Sequence, residues 1–186
     1  MNRGQEFLRA QVNNAVAQHG AFLDALEHHA HQAEDDRFRE LCAKYIPLMR
    51  EHQRMLEDYQ TELGGSAGGA LKKAAGAVLS KARDLADATR ESDFLRLVGD
   101  IVMSRQSEDT FKTFREAGRR LGLRRLADVG ESGERGHDDF HREANRLIQQ
   151  LFIEHVGEGE GIQRRRFSAD DDTTLLGSRW KYSADF

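Results

Sequence analysis

Between Glu6 and Val156 the apolar residues return at every third or fourth position in four long stretches. That period fits an α-helix with one buried face. The first stretch carries Leu8, Val12, Val16, Leu23, Leu26 and Ala30 and ends near Ala33. Glu34-Asp35-Asp36 supplies a cap for the second, which runs to Leu63 with Phe38, Leu41, Tyr45, Leu48, Met55 and Tyr59 on one side. Ser92 caps the third, from Asp93 to Arg120, with Phe94, Leu97, Ile101, Phe111, Phe114 and Leu121 as its stripe. Gly122 marks a turn, and the fourth runs from Arg124 to Val156 through Leu126, Phe140, Ala144, Leu147, Leu151 and Phe152. Pro47, the single proline of the chain, predicts a kink in the second helix or its division into two pieces.

Gly64-Gly65-Ser66-Ala67-Gly68-Gly69 ends the second helix, and a shorter helical pattern follows from Ala70 to Arg90 with Leu71, Val78, Ala82 and Leu85. Two helical hairpins joined by one long crossover make a four-helix bundle of ferritin-like topology. This all-α bundle is expected over residues 1–156. From Gly157 to Phe186 the period is lost and Gly, Arg and Asp dominate, which predicts an extended or mobile C-terminal tail.

Composition narrows the function. Charged residues make up 32 % of the chain, yet the net charge is only −4, a balance unlike that of a general nucleic-acid binder. No apolar run approaches the roughly 20 residues needed to cross a bilayer, and the first residues lack the apolar core of a signal peptide. Cys42 is the only cysteine, so no intrachain disulfide forms, which suits a cytoplasmic location. Phosphate loops of the Walker type, nucleophile elbows and cysteine-based zinc patterns are all lacking.

Each long helix interrupts its apolar stripe with a polar residue. His19 stands between Val16 and Leu23, His52 between Leu48 and Met55, and Glu108 between Ser104 and Phe111, while Glu134 and His137 hold stripe positions in the fourth helix. His19 and Glu108 lie about 14 residues before their hairpin turns; His52 and His137 lie about 19 and 15 residues after theirs. At about 1.5 Å rise per residue, all four reach the middle of their helices. Imidazole and carboxylate donors gathered at one level suit iron, manganese or zinc.

Glu134 and His137 form a Glu-x-x-His pair on one helical face. Two such pairs with two further glutamates build a dinuclear carboxylate centre. Here Met49 and His19 stand where two of those glutamates belong, and Glu27 lies about 12 Å further along its helix by the same rise. An altered or partly degenerate centre is therefore expected, with His52, Glu108, Glu134, His137 and His19 as candidate ligands. His28, His29 and His31 suit a helix C-terminus, where cationic imidazole is favoured. Gly130, Gly133 and Gly136 recur every third residue, which permits close helix contact or loosens the fourth helix.

Glu51-His52-Gln53-Arg54-Met55-Leu56-Glu57 leading to Leu63-Gly64, the Leu71–Leu85 crossover, and Arg120-Leu121-Gly122 followed by Leu126-Ala127-Asp128-Val129 carry a resemblance. Over about residues 5–156 the chain resembles the ferritin-like superfamily, and within it the YciF-like bacterial branch of stress-associated proteins. That resemblance implies metal ligands at Glu108, Glu134 and His137 with His52 as a partial match, iron or peroxide handling in a stress response, and a homodimer. Thr174-Leu175-Leu176-Gly177-Ser178 is similar to the tails by which ferritin-like proteins enter encapsulin shells, so docking on a shell or partner is a second expectation for the tail. Two alternatives stay open: a metal-free bundle acting as a dimeric interaction module, and a hemerythrin-like sensor.

Overall fold

The computed structural model describes residues 3–64 and 92–158. The crossover segment from 65 to 91 and the tail from 159 onward lie outside the described residues. Among the described residues the chain is entirely helical: α1 (Arg3–Gln32), α2 (Asp36–Glu62), α3 (Asp93–Leu121) and α4 (Arg124–Glu158). These are the four helices of a four-helix bundle. None of them is long and apolar enough to cross a membrane.

Local chemistry sets the helix ends. Asp35 caps α2, its Oδ1 accepting from the backbone N–H groups of Arg37 at 2.8 Å and Phe38 at 3.3 Å. Its own N–H donates to Asp93 Oδ2 at 2.6 Å, tying the first hairpin turn to the start of α3. Ser92 Oγ accepts from Leu95 N–H at 3.4 Å and caps α3. Gly122, at φ +69°, takes the left-handed conformation that ends α3. Pro47 does not split α2, which runs unbroken from Asp36 to Glu62. The hydrogen bond its missing N–H would have made is offset by packing, since Ile46 and Met49 on either side are buried in the core.

The α3–α4 hairpin is closed by glycines. A Cβ on Gly118 would lie 2.4 Å from the backbone nitrogen of Ala127, and one on Gly130 would lie 2.2 Å from that of Arg115. The glycine series of α4 therefore serves close helix contact.

The core falls into two apolar clusters. One contains Phe22, Leu26, Phe38, Met49, Leu97 and Phe140; the other contains Val12, Val16, Leu56, Phe111, Leu126 and Val129. Along every helix a polar residue separates the two. In α1, His19 lies between Val16 and Phe22; in α2, His52 lies between Met49 and Leu56; in α3, Ser104 lies between Leu97 and Phe111; in α4, His137 lies between Val129 and Phe140. One buried polar layer thus crosses the bundle between two hydrophobic halves.

The stripe of α3 is more polar than its apolar residues suggest. Its buried side comprises Leu97, Asp100, Ser104, Ser107, Glu108, Phe111, Phe114 and Gly118, while Leu121 is 69 % exposed. Leu121 falls in the last residue of the helix, beyond the packing of the other three.

Candidate metal centre

His19, His52 and His137 come from three different helices and meet inside the polar layer, each at most 1 % exposed. One nitrogen from each ring lies within 4.8 Å of the other two. The ring centroids are 5.3 Å apart for His19 and His137, 6.0 Å for His52 and His137, and 6.1 Å for His19 and His52.

Their neighbours fix which nitrogen is available. The Gln53 amide donates through Nε2 to Glu57 Oε1 at 2.8 Å and to Val16 O at 3.3 Å, so its Oε1 is left as an acceptor. His19 Nδ1–H donates to that oxygen at 2.9 Å. The His19 proton is thereby placed on Nδ1, and the Nε2 lone pair is free to bind. His137 Nδ1 lies 2.7 Å from Ser104 Oγ, which holds the ring the same way when Nδ1–H donates to the hydroxyl. Both Nε2 atoms, and both nitrogens of His52, are buried without a hydrogen-bond partner among the described residues.

Burial keeps these rings neutral. It pulls His19 down to about 4, against the opposing effect of its hydrogen bond to Gln53. It likewise brings His52 to about 4, helped by the neighbouring His19, and holds His137 well below the ordinary histidine value. Neutral imidazole is the form that ligates a metal.

Glycine makes room for the cluster. A Cβ on Gly136 would stand 2.3 Å from His52 Cε1, and one on Gly133 would stand 2.3 Å from Phe111 Cδ1. Phe111 lies almost equally far from all three imidazoles, at 5.6, 5.9 and 5.4 Å from His19, His52 and His137. Phe22 packs against two of them, at 6.3 Å from His19 and 5.4 Å from His137.

The two candidate carboxylates are placed differently. Glu108 is buried, but its oxygens face Arg105 at 2.8 Å, Lys112 at 2.5 Å and His141 Nδ1 at 2.6 Å. Burial alone would raise the Glu108 carboxyl; Lys112, Arg105 and His141 together bring it below its ordinary value. Glu134 forms an ion pair with Arg115 at the rim of a surface hollow. The structure therefore gathers His19, His52 and His137 and leaves Glu108 and Glu134 in cationic partnerships. Glu27 pairs with Arg50 on the surface at 2.8 Å.

Two features escape sequence periodicity. Gln53 adjoins His52 but lies about 100° further round the helix, off the stripe, so only its partner in α1 reveals its role. Asp100 is wholly buried, with Oδ2 at 2.9 Å from His29 Nδ1. Burial raises the Asp100 carboxyl against the opposing pull of His29. His29 is thus a buried partner for a carboxylate, whereas His31 beside it is exposed.

The donor set can be compared with the spacing that a bound metal ion requires. A four-coordinate ion about 2.1 Å from each nitrogen sets neighbouring nitrogens about 3.4 Å apart. The three nitrogens all lie within 4.8 Å of one another, so each pair has at most about 1.4 Å to close. Comparison of the chain with known protein families, curated proteins and solved structures returned no match.

Proposed function

We propose that this four-helix bundle is a ferritin-like metal-binding protein holding one transition-metal ion through His19, His52 and His137. The observation that carries the proposal is the meeting of buried imidazole nitrogens that lack any other partner among the described residues. Buried polar atoms ordinarily find hydrogen bonds, and three converging exceptions ask for a shared explanation. Gln53 and Ser104 support it, because metal-bound histidines characteristically donate their second nitrogen to an oxygen.

An all-nitrogen donor set suits zinc or iron, and suits manganese less because its preferred oxygen donors are absent from the cluster. A single ion replaces the dinuclear centre of the carboxylate proteins, since Glu108 and Glu134 are held by Arg105, Lys112 and Arg115. Three protein ligands leave a coordination position for an exogenous molecule, the arrangement that metal-assisted chemistry on water, oxygen or peroxide requires.

Metal analysis of protein expressed in supplemented medium tests this. One equivalent of metal is expected, falling to background in the His19→Ala/His137→Ala double variant while circular dichroism still reports a helical fold. A folded wild-type protein without metal would overturn the proposal.

A further inference from the structure

Charge is what the histidine cluster leaves unbalanced. Three neutral imidazoles contribute none, and the carboxylates on adjoining turns are engaged or screened. Glu108 faces Arg105, Lys112 and His141; Asp100 faces His29; Glu57 is exposed to solvent, where its charge is screened; Glu134 faces Arg115. Around Glu108 the two cations already outnumber the carboxylate. A divalent ion bound by His19, His52 and His137 would keep its full charge beside the rings of Phe22 and Phe111. An unbalanced double charge in such a layer is strongly disfavoured.

Three nitrogen ligands also leave at least one coordination position for a group from solution. A monovalent anion in that position fills it and halves the excess charge. Its size is limited by Phe111, whose ring meets His19 and His52 edge to face and His137 at a tilt, and is pressed against Gly133, where a Cβ would come within 2.3 Å of it.

Building on the metal site argued above, we propose that the ion held by His19, His52 and His137 takes a small monovalent anion as its further ligand, with Phe111 setting the upper size. The ligand class is that of hydroxide, azide or cyanide. Carboxylates, from acetate to those carrying a bulky ring, are excluded by the aromatic wall.

Cobalt(II) is the probe, because its visible spectrum reports its ligands directly. Azide titrated into the cobalt-loaded full chain is expected to shift the visible bands to saturation, while benzoate leaves them unchanged. In Phe111→Ala, benzoate is expected to shift them as well. Phe111→Leu keeps more of the core volume and is expected to admit acetate, which the wild type excludes. A cobalt-loaded wild type whose spectrum ignores azide overturns the anion proposal and leaves the metal site standing. Failure to bind cobalt overturns both. Unchanged exclusion of benzoate and acetate in the two Phe111 variants overturns the assigned role of that ring.

Discussion

Replacing His52 by leucine sets the metal and the fold against each other. His52 is 1 % exposed and neither of its nitrogens has a hydrogen-bond partner among the described residues. A buried polar group left unpaired costs about 1–3 kcal/mol, so the chelator-treated His52→Leu protein should be more stable than wild type by about that amount at pH 7. Leucine is shorter than the imidazole, so it fits beside Gly136 without the contact a longer chain would make.

Acid enlarges the difference. The folded-state value for His52 is about 4, below the ordinary 6.5. Between those limits the unfolded chain binds the proton and the native protein does not. Stability is therefore lost as pH falls from 6.5 towards 4. At pH 5 that difference comes to about 2 kcal/mol for His52, and leucine abolishes it.

Metal works against this difference. At a free concentration 100 times the dissociation constant, binding stabilises wild type by about 2.7 kcal/mol and should leave His52→Leu largely unaffected. Urea unfolding at pH 7 and pH 5, with chelator and with zinc, reads all three quantities. A variant less stable than wild type in chelator would refute the unpaired-imidazole argument. An equal stabilisation of both proteins by zinc would refute the role of His52 as ligand.

Gly136→Ala places a Cβ 2.3 Å from His52 Cε1, so metal affinity should fall and stability should drop by about 1–3 kcal/mol, measured by chelator competition and thermal melts. Gln53→Ala removes the oxygen that holds His19 Nδ1, and affinity should weaken about 10–100-fold in the same competition with little loss of helicity by circular dichroism. Asp100→Ala leaves His29 without its buried partner and should cost about 1–3 kcal/mol in urea unfolding, with metal stoichiometry unchanged. Arg119→Ala breaks an exposed pair with Glu131, and the melting temperature should stay within error of wild type.

The height of residues along their helices was legible in the sequence; their pairing was not. Counting from the hairpin turns places His19, His52 and His137 at one level, and all three meet there. The same count brings Glu108 to the buried side of α3, but a carboxylate at that level is drawn to cations three and four residues away on its own helix, Arg105 and Lys112. Glu134 is drawn to Arg115 across the α3–α4 contact, a pairing set by the close approach at Gly130 that no periodicity displays. In α3, Asp100 and Ile101 stand three and four residues after Leu97 and can both face inward; hydrophobicity favours Ile101, yet Asp100 is the fully buried one because His29 meets it there. Gln53 was invisible for a related reason, since a residue that orients a buried histidine on another helix need not lie on the apolar face of its own.

The polar layer argues for function because it weakens the fold that contains it. An apolar residue at each of the three histidine positions would join the two hydrophobic clusters into one continuous core and remove several unpaired nitrogens. The surrounding sequence instead preserves the interruption. Gly136 vacates the space the His52 ring occupies, Gly133 vacates space for Phe111, and Gln53 and Ser104 present oxygens to the far nitrogens of His19 and His137. Glycine inside a helix is itself unfavourable by about 1 kcal/mol relative to alanine. Accommodations from α2, α3 and α4, converging on rings that burial alone would disfavour, are what positioning a ligand set requires. A purely structural histidine layer would need hydrogen bonds on both sides of each ring, and among the described residues those bonds are missing at Nε2 of His19 and His137 and at both nitrogens of His52.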